Sequence, residues 1–378
     1  MSFSSMSKQQ ALGSGEEARR GEDEAMELIP GLPEEVAEKC LLHLPFLYHR
    51  LFRTVSSNWN RFLTADTAGA TKPSSPPTVS LSLPFLFAFA FDPVSRRLQC
   101  QALDPFSRRW LLLPPVPRGG NTAAPGSFAV VGLPARGEIY VIGGVEEDGD
   151  GEDEKTLRSV AVYSAATNGW GQAAGMRTPR GYMAAGEVGG RVVVAGEDGE
   201  AEVFDPEAGR WAPAAVRGGA AVARYDSAAA GGKLYVTEGW AWPFERAPRG
   251  AVYEAATDSW CEMARGMREG WTGSCAVSGG RMYIVAEYGE WRLKRYDAPR
   301  DEWRMVAGGG VPAEVRRPHV VAGEVGGGRR RIYVVGAGLD VAVGTVHGEE
   351  DERVEWEVVK GPAEFVGLAP CNAQVLYA

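Results

Sequence analysis

The chain has 378 residues, 44% hydrophobic, 24% charged and 10% aromatic, enough for one large globular domain and a small one. Its formal net charge is −9 and no cluster of Lys and Arg offsets that balance, so no nucleic-acid partner is expected. The longest apolar run, Val79 to Phe91, is too short to span a bilayer and contains Pro84, so no membrane partner is expected either.

Residues 1–25 are polar and charged, with no hydrophobic period and no apolar segment of the signal-peptide kind. They read as a disordered leader, and a cytoplasmic or nuclear location follows as an expectation. Residues 26–66 change character. Val36, Cys40, Leu41 and Leu44 recur at helical spacing, Pro33 suits the first turn, and Pro45 stops the helix. A second helical pattern through Leu47, Leu51 and Phe52 continues at Val55, Trp59 and Phe62. Residues 67–78 are small, polar and proline-rich, a linker.

From residue 79 to 378 short strands repeat. An apolar triplet recurs in GEIYVIGG, GRVVVAGE, GKLYVTEG, GRMYIVAE and RRIYVVGA, centred on Tyr140, Val193, Tyr235, Tyr283 and Tyr333. An apolar or aromatic residue also recurs seven positions before a tryptophan: Leu103/Trp110, Tyr163/Trp170, Phe204/Trp211, Tyr253/Trp260 and Tyr296/Trp303. A looser sixth copy ends at Trp356. A period of about 50 residues with four strands per copy is the signature of a propeller blade. The aromatic pairs should fill the space between blades. The first copy has room for only three strands, whereas CNAQVLYA (371–378) is an orphan strand. It should supply the missing inner strand of the first blade and close the ring.

The helical segment, with Leu32-Pro33, Leu41, Leu44-Pro45, Val55-Ser56 and Trp59, resembles an F-box. The repeats, with Gly143-Gly144 and the Tyr–x6–Trp unit, resemble kelch motifs. Together they are similar to the plant F-box/kelch-repeat proteins. The resemblance implies an all-β six-bladed kelch propeller behind a small all-α F-box. The double glycine survives only at 143–144, so five blades remain an alternative. It further implies a non-catalytic subunit of a ubiquitin ligase, whose F-box binds a Skp-type adaptor, and through it a cullin, while the propeller holds a protein substrate. Segments such as RYDSAAAGGKLYVTEGWAWPF most resemble a relative acting in phytochrome A-linked red/far-red light signalling.

Residues for those contacts can be named. Leu32, Pro33, Leu41, Leu44, Pro45 and Val55 are expected at the adaptor surface, because so small a unit cannot bury all its apolar groups. Trp59 is expected to anchor the helices instead. For the substrate, Trp240, Trp242 and Phe244 lie in a loop after a strand, and Trp271 is similar. Exposed, they would form a hot spot; the alternative is that they plug the gap to the next blade. Arg180, Arg224 and Arg317 precede strands at comparable places and would read an acidic target around the channel. Inter-blade hydrogen bonding is their other possible role.

No cofactor, metal or catalytic residue is expected. The histidines, His43, His49, His319 and His347, form no HExxH motif, and His43 and His49 should be surface or interface residues. Cys40, Cys100, Cys261, Cys275 and Cys371 form no CxxC pair and read as free, mostly buried thiols. The acidic run 146–154 lacks the glycine and glutamate of an EF-hand loop and reads as a solvated loop. The rival class is a stand-alone kelch scaffold or a propeller enzyme. For the enzyme, Glu238, Glu287 and Glu290 would have to converge with Arg224, Arg268 and Arg317.

Overall fold

Short helices followed by a long run of strands are what a computed structural model of the chain shows among the described residues. It describes residues 28–42, 44–69, 84–95, 97–117, 127–147, 154–217, 226–240, 246–286, 291–315, 319–325 and 329–377. The chain divides into two units, Met1–Ser74 and Ser75–Ala378.

The first unit contains helices α1 (Glu34–Leu42), α2 (Phe46–Phe52) and α3 (Ser57–Gly69). Glu34 and Glu35 sit in the first turn of α1, where carboxylates favour the helix dipole. Pro45 precedes α2 and cannot continue the helix before it. The apolar pattern from Leu47 to Phe62 is not one helix. The chain turns at Arg53–Val55, and the Ser56 hydroxyl accepts the Trp59 N–H at 3.1 Å, starting α3. The core of this unit holds Leu28, Ala37, Leu41 and Leu63, flanked by Leu44, Phe52, Trp59 and Phe62.

The second unit is a six-bladed propeller, each blade built on a four-stranded antiparallel sheet, to which Ala307–Gly308 adds a short parallel fifth strand in blade VI. From the inside outwards, blade I uses Ala369–Tyr377, Pro84–Asp92, Arg97–Asp104 and Arg109–Leu112. Blade II uses Ala129–Leu133, Glu138–Ile142, Val160–Ser164 and Gly169–Ala173. Blade III uses Ala184–Val188, Arg191–Ala195, Ala201–Asp205 and Arg210–Pro213. Blade IV uses Asp226–Ala230, Lys233–Thr237, Gly250–Glu254 and Ser259–Glu262. Blade V uses Cys275–Ser278, Arg281–Val285, Leu293–Asp297 and Glu302–Met305. Blade VI uses His319–Val325, Arg329–Val335, Val341–His347 and Arg353–Val359. The inner strands line a central channel of about 850 Å³.

Ring closure runs as the strand count expected. The last strand pairs antiparallel with the first, Pro84 opposite Tyr377 and Phe87 opposite Gln374. The edge that Pro84–Asp92 would otherwise expose is thereby covered.

The seven-residue aromatic spacing is a cross-strand pair. Tyr163 stands opposite Trp170, Phe204 opposite Trp211, Tyr253 opposite Trp260 and Tyr296 opposite Trp303, with ring centroids 5.1–5.3 Å apart. A four-residue turn between the outer two strands fixes that offset. The fourth turn residue adopts positive φ in Arg108, Asn168, Asp258 and Asp301. The Tyr163, Tyr253 and Tyr296 hydroxyls donate to the Asn168, Asp258 and Asp301 side chains at 2.7–2.8 Å. The sixth copy breaks the spacing: its turn is one residue longer and its tryptophan lies two pairs further from the turn, so Trp356 faces Gly344 instead of an aromatic ring. A β-carbon at Gly344 would come within 2.7 Å of that indole.

Each indole also clasps the preceding blade. The Nε1–H groups of Trp170, Trp211, Trp260, Trp303 and Trp356 donate to the carbonyls of Pro114, Ala174, Ala215, Met267 and Gly309. Trp110 breaks the series: its buried Nε1–H finds no acceptor among the described residues, and its ring meets Phe365 edge-on at 5.9 Å.

Candidate partner-binding surfaces

The three-helix unit leaves apolar groups in solvent. Leu32 is 39% exposed, Val55 is 60% exposed and Pro33 is exposed, whereas Leu44 and Pro45 are partly buried. Leu41, expected at the adaptor surface, is 1% exposed and sits in the core of the unit. Its side chain falls on the same face of α1 as Ala37, the face turned inwards. Val36, Leu42 and Leu51 are also exposed, and sequence reasoning does not assign them to the adaptor surface, although Val36 and Leu51 belong to the apolar period. Trp59 anchors as expected, donating its Nε1–H to the Leu28 carbonyl and packing edge-on against Phe52 at 6.0 Å. His49 is a correction: it is buried, its Nε2 2.9 Å from the Leu44 carbonyl. His43 lies outside the described residues.

In the propeller, the loops joining the middle two strands of a blade emerge on the same face as the loops joining consecutive blades, because strand direction alternates. Trp240 lies there, partly buried, its Nε1–H donating to the Glu269 carbonyl at 2.8 Å. Trp242, Phe244, Arg224 and Arg317 lie outside the described residues. Trp271, expected at an exposed hot spot or in the gap between blades, is 0% exposed, packed against Trp303 and bonded to Asp226, which puts it in the core. It follows a short helix, α4 (Arg265–Gly270), that folds it inwards between blades IV and V.

Arg180 also departs from expectation. At 5% exposure it forms an ion pair with buried Glu202, and its backbone carbonyl accepts the Gly144 N–H at 2.9 Å. Removal from water makes its charge available to that carboxylate rather than to an acidic target. The double glycine exists for this approach: Gly143 and Gly144 both have positive φ, and a β-carbon on Gly143 would lie 2.4 Å from the Arg180 carbonyl. Burial raises the Glu202 carboxyl, but Arg180 and the N–H groups of Arg177 and Thr178 outweigh it and hold it below the usual range. A second buried carboxylate, Glu352, ties blade V to blade VI through Arg330 and the Tyr283 hydroxyl, both at 2.9 Å.

The convergence that an enzymatic site would require is not seen for the described members of that set. Glu238 is held by Arg249 and Arg268 by Glu262, while Glu287 and Glu290 lie outside the described residues. Among the described residues no group of three metal-ligating side chains forms, and no helix is long and apolar enough to cross a membrane. Cys100, Cys275 and Cys371 are buried free thiols; Cys40 and Cys261 are exposed ones. The acidic run opens a hairpin, Val145–Glu147 against Glu154–Thr156, with residues 148–153 outside the described set.

Residues 29–66 match the F-box domain model. The chain is 38% identical to F-box protein AFR of Arabidopsis thaliana, over 93% of this chain and 92% of that protein. It is 35% identical to an F-box/kelch-repeat protein of the same organism, over 93% of this chain and 87% of the relative. A solved structure, that of YjhT, aligns with 75% of this chain and 99% of its own at TM-score 0.48 and 14% identity, too distant to add to the assignment.

Proposed function

This chain belongs to the F-box/kelch-repeat family, and on that premise we propose that it is the substrate-recognition subunit of a Skp–cullin–F-box ubiquitin ligase. The reading is carried by one observation: a small helical unit, with Leu28, Ala37, Leu41 and Leu63 in its core, leaves Leu32, Leu51 and Val55 in solvent. Apolar groups displayed by so small a unit are the material of an interface. The adaptor covers that surface and brings a cullin with it. The propeller holds the target protein, and the loop bearing Trp240, Trp242 and Phe244 contributes to that grip. The subunit forms no bond and breaks none. It raises the effective concentration of a target lysine beside the charged conjugating enzyme. As a finer reading, we propose that it acts in phytochrome A-linked red/far-red signalling, in the cytoplasm or nucleus; likeness to F-box protein AFR supports this.

The test is affinity capture from proteasome-inhibited cells, comparing the intact chain with the double variant Leu32→Asp/Val55→Asp. Targets should be captured by both forms, accumulate only with the variant, and lose their ubiquitin conjugates with it. Equal turnover with both forms would contradict the proposal.

A further inference from the structure

Blade VI exceeds the strand length of blades II to V at one end. Its four antiparallel strands have seven residues each, whereas those of blades II to V have four or five. Tyr333 has four strand residues before it and two after, where Tyr140, Tyr235 and Tyr283 have two on either side. The added residues are Arg329 and Arg330. Arg330 turns towards blade V and pairs with Glu352. Arg329 and Arg331 alternate with it and share the face towards blade I. That face continues across the sheet, with Arg331 opposite Thr345, Thr345 opposite Glu355, and His347 opposite Arg353.

Elsewhere in the ring the equivalent cation is neutralised across the strands. Arg191 pairs with Asp205 at 3.4 Å in blade III, and Lys233 with Glu254 at 3.2 Å in blade IV. Arg331 holds the corresponding place in blade VI, but the residue opposite is the uncharged Thr345. Its guanidinium lies 4.8 Å from the centre of the Phe106 ring instead. The Arg331 Nη1 and the hydroxyl of fully buried Tyr333, two residues on along the same face, find no acceptor among the described residues. Among the described residues, Arg109, Arg329, Arg331 and Arg353 form no ion pair. The acids nearby are engaged or face elsewhere. Glu357 is held by Arg108 at 2.7 Å, Asp104 accepts two N–H groups of its own turn, and Glu355 lies 3.8 Å from His347. Glu349, Glu350 and Asp351 line a groove on the blade V side, with Arg281 and Arg295. In a chain of net charge −9, one sheet face thus carries donors without acceptors.

We infer that this face of blade VI binds an anionic segment of a protein partner. Carboxylate or phosphate groups of that segment take the place of the missing acid, bridging Arg331 and Arg353, with Arg329 beside them. An adjoining apolar side chain packs on Phe106, which is 45% exposed. A peptide suits the surface better than a nucleic acid, because the chain's net charge repels a long uniform polyanion and the arginines occupy one blade edge. The surface lies at the end of the propeller opposite the loop that bears Trp240. It belongs wholly to the propeller, so the inference goes beyond the ligase reading and does not rest on it.

The experiment titrates the full chain with short labelled peptides of equal apolar content. One set carries Asp and Glu, one phosphoserine, one only neutral residues and one Lys and Arg. The acidic set, the phosphorylated set or both should bind, and which of them does identifies the recognised group. Arg331→Gln with Arg353→Gln should weaken that binding about tenfold or more. Arg191→Gln, at the same place in blade III, should leave it unchanged. Thr345→Glu restores the cross-strand acid and should also weaken binding about tenfold or more, while its thermal midpoint equals or exceeds that of the unaltered chain. The inference is overturned if no anionic set binds, if neutral or basic peptides bind as well, or if Thr345→Glu keeps its affinity. Equal losses in Arg191→Gln and the double variant would overturn it too, as would tighter binding of a single-stranded oligonucleotide of equal charge.

Discussion

Gln374 and Gly132 lie 242 residues apart in the chain, yet the Gln374 side-chain carbonyl accepts the Gly132 N–H at 3.0 Å. The same carboxamide donates to the Val130 carbonyl, also at 3.0 Å. One side chain thus pairs with the inner strand of blade II as a neighbouring strand would. The orphaned backbone groups are inside the channel wall, so Gln374→Ala should cost about 1–3 kcal/mol. Urea unfolding, followed by tryptophan fluorescence, measures it.

Removing residues 369–378 takes away the whole inner strand of blade I and bares the edge of Pro84–Asp92. Cooperative unfolding should be lost, and the product should associate through that edge. Calorimetry together with light scattering would show both effects. A truncated chain that melts in one transition at the original temperature would contradict the closure.

The indole clasps allow a paired comparison. Trp211→Phe removes a hydrogen bond to the Ala174 carbonyl at 2.7 Å, whereas Trp110→Phe removes a buried N–H that has no acceptor among the described residues. Both variants keep an aromatic ring. Trp211→Phe should therefore be the more destabilising, by about 1 kcal/mol. Equal losses in matched denaturant titrations would mean that the clasp contributes nothing.

Glu202 makes stability depend on acid. Its folded-state pKa lies below the ordinary value of 4.5, where burial alone would raise it but Arg180 and two backbone N–H groups prevail. A carboxyl with a depressed folded pKa contributes stability above its unfolded pKa and loses it as pH falls through the folded value. Stability should therefore fall as the pH drops from 4.5 towards the folded pKa. Glu202→Gln should flatten that part of the profile and lower stability at neutral pH, because Arg180 would be left buried without its counter-charge. Thermal midpoints across an acid series give the comparison.

In the helical unit, core and surface should separate cleanly. Leu41→Ala should destabilise the unit by about 2–5 kcal/mol, with adaptor binding lost only as unfolding follows. Leu51→Asp should leave helicity intact while weakening the adaptor complex, since Leu51 is exposed. Circular dichroism beside a binding titration distinguishes the two.

The repeat was legible because its cause is local. A four-residue turn with a left-handed last residue fixes Tyr163 opposite Trp170, so the spacing survives even where Ala195-Gly196 replaces the double glycine. Ring closure was legible by counting strands. The site was less so, for a physical reason. Burial of Arg180, Trp271 and Leu41 is decided by what packs on them from distant residues, and a sequence window contains no trace of that. Arg180 shows the problem most clearly: its partner Glu202 lies within the strand Ala201–Asp205 of blade III, at no fixed motif spacing.

Direct titration of the purified chain against a Skp-type adaptor, with and without Leu32→Asp/Val55→Asp, measures the claim on which the account turns. The expected outcome is a one-to-one complex that the double variant abolishes while its propeller melts at the unchanged temperature. An intact chain that leaves the adaptor free at every concentration tried, or a variant that binds as tightly as the parent, would contradict it.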